Sequence, residues 1–259
     1  MRDILEDLSG EPPIDPVERA KELSRRELPK RFYEKVSVEE RDGGHAILLD
    51  GRPVRTPARR VLALPGARLA QAVAGEWERQ EKVIDPATMP LTRIANSALD
   101  GVADRLKDVA DTIAEYAGSD LLCYRADSPE KLVGRQNAAW DPVLAWAETR
   151  LGRPFSLACG LMPVAQDAAL LAAFRAALDE RGPLEIAALH TVTTLTGSAV
   201  LALALGEGAF EAEAVWSAAH VDEDWNIEQW GEDAEAAARR AARHAEFAAA
   251  ALILADARV

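Results

Sequence analysis

Between Trp216 and Gly231 the chain reads WSAAHVDEDWNIEQWG, which sets three of its six tryptophans and four carboxylates beside one histidine. His220 and Asp224 stand four residues apart with Glu223 between them, a spacing that carboxylate-rich helical metal sites use. Such sites need matching Glu-x-x-His pairs on other helices. The other candidate histidines lack them, since Glu185 lies five residues before His190 and Glu246 two after His244. A metal-dependent or carboxylate-based hydrolase built on His220, Glu223 and Asp224 is therefore the alternative reading. The leading one is a binding surface made by Asp222, Glu223, Asp224, Trp225, Asn226, Glu228 and Trp230. No phosphate-cradling glycine loop, HExxH, CxxC pair or nucleophile elbow occurs in the chain. No catalytic residue, resident metal or cofactor is expected.

Placed on a single helix at 100° per residue, the stretch divides into two faces. Trp216, Ala219, His220, Glu223, Ile227 and Trp230 form one, expected to turn toward the core. Trp225 falls opposite, near Asp222 and Gln229 and flanked by Asp224 and Glu228, as an aromatic anchor at an interface would. Glu223 in the apolar stripe needs a partner, because a bare buried carboxylate is costly; His220 is one candidate.

The elements that mount this stretch change character along the chain. Residues 15–28, DPVERAKELSRREL, predict a short charged helix with proline in its first turn. RFYEKVSVEE, HAILLD, RPVRTP and VLALP then read as four strands. The Asp42-Gly43-Gly44 and Asp50-Gly51 turns join the first three, since tight hairpins require residues that tolerate positive φ. GARLAQAVAGEWERQ turns helical, with Leu69, Val73 and Trp77 at four-residue steps. VIDPATMP ends that helix, and two more helical stretches follow around Gly101. Arg93 and Asn96, three apart, suggest a polar anchor to a neighbouring loop. SDLLCYRA resembles the last strand of the chain.

Asp127-Ser128-Pro129-Glu130 reads as a helix start with proline at the first position, and from there onward the pattern is helical. QNAAWDPVLAWAETRLG should be interrupted or kinked at Pro142. Residues 163–181 form an Ala/Leu-rich helix closed by Gly182-Pro183. Ile186 to Gly206 carries no Asp, Glu, Lys or Arg and is long enough to span a bilayer. Its threonine and serine hydroxyls, His190 and Gly197 favour a helix buried on all sides of a bundle instead, with His190 a core histidine. Residues 232–257 form an alanine-dominated helix whose Arg239, Arg240 and Arg243 can pair with the acidic stretch before it. The class is α+β: 1–30 an arm or short helix, 31–126 an amino-terminal α/β domain with antiparallel hairpins, 127–259 a helical bundle.

Charge sharpens the functional reading. The net charge is −13, yet the segment between Arg181 and Arg239 holds eleven acids and no lysine or arginine. That field repels nucleic acid and favours a basic protein surface. Cys123 and Cys159, the only two cysteines, have no metal-type spacing and are expected to be buried, reduced thiols. MRDILEDLSGEPP lacks the apolar core of a signal peptide and the basic character of a transit peptide. A cytoplasmic protein that is not membrane-bound is expected.

Several blocks in order, GRPVRTPARRVLALP, AVAGEWERQ, IDPATMPLTRIANSALD, YAGSDLLCYRAD, WDPVLAWAE and DEDWNIEQWGED, resemble the family of chaperones that assemble the catalytic sector of F-type ATP synthase. The resemblance runs from about residue 31 to the end. It implies a non-enzymatic chaperone that binds the newly made alpha subunit before it meets beta; a monomer is expected. It also implies an α/β domain followed by a helical bundle. Carried over by motif, Asp222, Glu223, Asp224, Trp225, Asn226, Glu228 and Trp230 are the candidate client surface, whereas the EWERQ run with Trp77 reads as structural. Eukaryotic members work in the mitochondrial matrix; the amino terminus here implies the bacterial cytoplasm.

Overall fold

The computed structural model describes residues 28–41, 43–159 and 164–258; the charged helix expected at 15–28 lies, but for Leu28, outside them. β1 (Val36–Arg41) and β2 (Gly44–Leu49) form an antiparallel hairpin in which Val36 faces Leu49 and Arg41 faces Gly44. β2 is the central strand. β3 (Arg52–Pro53) pairs with its end and β4 (Ala63–Leu64) with its beginning, both antiparallel. The Asp50-Gly51 turn behaves as its residues require, with both φ values positive, 48° and 76°. The expected third strand is only two residues long: past Val54, whose N–H reaches the Ile47 carbonyl at 2.8 Å, the chain turns to a single bridge between Arg55 and Val61, and the Ile47 N–H goes instead to the Leu62 carbonyl at 3.2 Å.

α1 (Ala67–Glu78) packs on β1 and β2 through Leu69 and Val73, both fully buried, with Trp77 half-buried above them. A 3-10 turn (Pro86–Thr88), α2 (Pro90–Ser97), a π-helical turn (Ala98–Val102) and α3 (Leu106–Ala117) follow. Arg93 anchors to a helix and not to a loop: its guanidinium lies 3.0 Å from Glu246 near the end of the chain.

The SDLLCYRA strand is mostly a turn. The Asp120 carboxylate accepts the Leu122 N–H at 3.1 Å and winds Leu121–Cys123 into a 3-10 turn. That leaves β5 (Tyr124–Arg125), which pairs in parallel with β6 (Ala158–Cys159). β6 corrects the expectation that strands end at residue 126. A two-residue strand is too short to carry an alternating pattern.

α4 (Glu130–Leu151) runs unbroken through Pro142, where interruption was expected. The proline sits on the exposed side of the helix, so its ring projects outward, and the single lost hydrogen bond is tolerated in a helix of six turns. Trp140 is buried on one side, while Trp146 is half-buried and meets Phe210 edge-on at 6.4 Å between centroids. α5 (Ala168–Ala176) is capped by Asp167.

The uncharged stretch is two helices, not one. α6 (Pro183–Thr196) ends at Gly197 in the left-handed region (φ 69°), and Ser198 starts α7 (Ala199–Gly206) by accepting the Leu201 N–H. A glycine at this position costs least in that conformation. All eight residues of α7 are buried, which explains its lack of charge without any membrane. His190 is half-buried, with burial lowering its pKa. Among the described residues no helix is long and apolar enough to cross a membrane. α8 (Ala212–Ala219), α9 (Val221–Trp230) and α10 (Ala234–Asp256) complete the chain, with α10 packing its small alanines closely on α6. The class is α+β, and one hydrophobic core runs from Tyr33 beside the sheet to Leu254 on α10.

Candidate functional site

The stretch from Trp216 to Gly231 is not one helix. The chain breaks at His220 (φ −115°, ψ 18°), so α8 and α9 meet there at a joint. A break strands carbonyls that the next helical turn would have bonded, and side chains replace the missing donors. The His220 ring takes the Trp216 carbonyl through Nδ1 at 2.7 Å. Trp140 on α4 donates Nε1–H to the Ala218 carbonyl at 2.7 Å. The His220 carbonyl then accepts the Asp224 N–H at 2.8 Å and restarts the helix. The buried imidazole lies against Trp216 with 3.8 Å between centroids. Burial lowers its pKa, so it is neutral at pH 7, and the Arg240 and Arg243 charges reinforce this.

With the joint in place, the two-face wheel drawn across the whole stretch fails. Trp216 is buried, but Trp230, expected on the same core-facing stripe, is 86% exposed. It projects from the last turn of α9, just before the chain reverses at Gly231 (φ 88°). Glu223 is half-exposed and lies 3.8 Å from His220 Nε2. Ile227 is half-buried, and Asn226 and Gln229 are exposed.

The opposite face is held down by residues far away in sequence. Arg135 on α4 forms a two-pronged pair with Glu228 (2.8 and 2.6 Å), and its guanidinium carbon lies 5.1 Å from the centre of the Trp225 ring. That guanidinium holds the Glu228 carboxyl below the usual carboxylate range. Gln136 donates to Asp222 at 2.8 Å. Arg240 on α10 reaches Asp224 at 2.5 Å, as the arginine-rich start of the last helix suggested. Arg239 pairs instead within its own helix with Glu235. Arg243 donates to the Leu195 carbonyl at the end of α6, at 2.8 Å.

Of the seven candidate binding residues, then, Asp222, Asp224, Trp225 and Glu228 contact side chains of other helices. Glu223, Asn226 and Trp230 are left to the surface. The arrangement does not assemble the alternative hydrolase: Asp224 is committed to Arg240, and the imidazole Nδ1 to a carbonyl. Among the described residues no group of three or more His, Cys, Asp or Glu could hold a metal ion.

Arg135 and Gln136 escaped the sequence reading, whereas Arg240 was among the three arginines named as partners of the acidic stretch. For Arg135 and Gln136 the only signal was an eleven-acid stretch with no base of its own, which requires partners from elsewhere without naming them. Glu76 was missed as well. It sits in the EWERQ run at 1% exposure. It accepts the Leu91 N–H, the Thr92 N–H and the Thr92 hydroxyl at 2.8, 2.8 and 2.7 Å, which caps α2 from α1. Burial raises its pKa against those hydrogen bonds.

The family described as "ATP12 chaperone protein" matches residues 30–148. The crystal structure of the Atu1473 protein from Agrobacterium tumefaciens is 47% identical, with 97% of this chain and 93% of that one covered and a TM-score of 0.85. Crystalline Atp12 from Paracoccus denitrificans is 42% identical over 88% of this chain and 98% of its own, with a TM-score of 0.81. Mitochondrial protein atp12 of Schizosaccharomyces pombe is 21% identical over 215 residues, 78% of this chain and 74% of its own. These likenesses extend past the matched segment, through the bundle that carries the acidic helix hairpin. The chain belongs to the ATP12 chaperone family.

Proposed function

We propose that this protein is a non-enzymatic assembly factor of the ATP synthase, which holds the newly made alpha subunit until the subunit meets its partner in the catalytic sector. Residues 31–126 serve as scaffold, residues 127–259 present the client-binding face, and the protein acts as a soluble monomer in the bacterial cytoplasm. The observation that carries this reading is Trp230, a large aromatic at 86% exposure on an acidic hairpin of a well-packed bundle. An exposed tryptophan does nothing for the stability of the chain that bears it, whereas burying one at an interface is worth on the order of 2 kcal/mol or more.

Around Trp230 the surface is acidic. Glu223, Glu232 and Asp233 line the same hollow beside its ring. Such charge speeds encounter with a basic client patch and makes capture salt-sensitive. The Gln136 and Arg240 contacts keep the helix rigid, so little ordering cost is left for the binding step.

The test is capture of purified alpha subunit by the full chain at low and high salt. Native protein should capture it, and less well as salt rises. Trp230→Ala should weaken capture by roughly thirty-fold while leaving the urea unfolding midpoint in place. Absence of capture by the native chain at low salt would refute the proposal.

A further inference from the structure

A groove of about 560 Å³ lies between α4 and the α8–α9 joint, within the ~300–1,000 Å³ span of ligand clefts. Its walls are short and apolar: Ala138 and Ala139 on one side, Ala214 and Ala218 on the other, with Phe210 among them. Small side chains on two neighbouring helices let a third helix approach closely. The groove is also lined by Arg135, Asp224 and Glu228. The wall formed by α8 and α9 belongs to the segment that holds eleven acids and no lysine or arginine.

An apolar trough with carboxylates among its lining residues matches an amphipathic helix carrying a cation. One cation is already there. Arg135 grips Glu228 and covers Trp225, yet both members of the pair are about half exposed, 43% and 52% by side chain. Water and salt around the pair screen its attraction, so that even the two-pronged geometry leaves it open to exchange. An incoming cation whose apolar neighbours seal the groove would meet the same carboxylate in a drier setting, where the attraction is stronger.

We infer that the groove between α4 and α8 receives a basic amphipathic helix of the client, and that a client arginine or lysine takes the place of Arg135 on Glu228 and Trp225. This rests on the client-binding reading above. Arg135 is then a resident stand-in that keeps Glu228 and Trp225 in position until the client arrives.

Three variants of the full chain, assayed for capture of purified alpha subunit, test it. Ala138→Leu fills the groove from an exposed helical position and should weaken capture roughly ten- to thirty-fold, with unfolding unchanged. Glu228→Gln should weaken capture and flatten its salt dependence. Arg135→Gln should tighten capture a few-fold, because the resident competitor is gone. The inference is overturned if native protein captures the subunit and Ala138→Leu does so equally well. It is also overturned if Arg135→Gln weakens capture as much as Glu228→Gln, which would make the pair a structural clasp. Sedimentation of the native chain as a dimer that Ala138→Leu converts to monomer would assign the groove to a second copy and likewise overturn it. Failure of the native chain to capture the subunit at all counts against the client reading itself, so the two failures are distinguishable.

Discussion

Asp120 is completely buried where the turn after α3 meets the start of α7, and it makes the stability of the fold depend on pH in an unusual direction. Its carboxylate accepts the Leu122 N–H at 3.1 Å and the Val200 N–H at 3.0 Å, with further hydrogen bonds from Ser198 and Ala199. The loss of hydration on burial outweighs these bonds and raises its pKa from 3.8 to about 6. Between those two values the folded chain holds a proton that the unfolded chain has released. Stability from this group is therefore full below about pH 4 and is lost as pH rises through 6. The gap amounts to about 3 kcal/mol. The side-chain amide of an Asp120→Asn variant cannot ionise, so the native-minus-variant difference separates this contribution from that of the other titrating groups. Urea unfolding of both proteins from pH 4 to 7 should show the native chain losing about 3 kcal/mol relative to the variant. A flat difference, or one in which the native chain gains as pH rises, would refute the reasoning. It would mean that the converging N–H groups stabilise the charge by more than burial costs.

Two other groups yield sharp expectations. Glu76→Ala leaves the Leu91 and Thr92 N–H groups and the Thr92 hydroxyl without their acceptor; at ~1–3 kcal/mol for each buried orphan, with some relief from water, a loss of about 3 kcal/mol or more is expected in urea unfolding. A loss under about 1 kcal/mol would show that the cap is dispensable. Burial, reinforced by the Asp120 charge, pushes the Cys123 thiol up to about 12, while Cys159, expected to be buried as well, is free and exposed. An aromatic disulfide reagent at pH 8 should therefore titrate a single thiol in the native protein and both after unfolding; two reactive thiols in the native state would contradict the buried placement.

Much of the architecture was legible because it rests on local rules. Asp50-Gly51 announces a turn with positive φ, and Asp-Ser-Pro-Glu at 127–130 announces the start of α4. The alanine run after Gly231 could only be a helix with close neighbours. The errors fall where a contact distant in sequence overrides the local pattern. Asp120, reaching across to Val200, turns most of an expected strand into a 3-10 turn. Trp140, 78 residues before Ala218, supports a helix break at His220 that no local signal marks. That break put Trp230 in solvent when a continuous wheel had placed it in the core. The uncharged run from Ile186 to Gly206 was read as buried on all sides, which holds for α7 but not for α6, where His190 is half-buried and Thr194 exposed, and its division at Gly197 was missed.

For the candidate site, the sequence by itself determined the stock of groups: acids without bases between Arg181 and Arg239, three tryptophans, and no catalytic motif. Composition suffices for that, because the number of charged and aromatic groups does not depend on orientation. Only the tertiary structure decided which of those groups are free. Arg135, Gln136 and Arg240 arrive from helices at either side and occupy Glu228, Asp222 and Asp224, leaving Glu223, Asn226 and Trp230 to the surface. Whether a carboxylate is spent on its own fold or kept for a partner depends on which cation lies within about 3 Å of it, and that distance is set by how the helices pack.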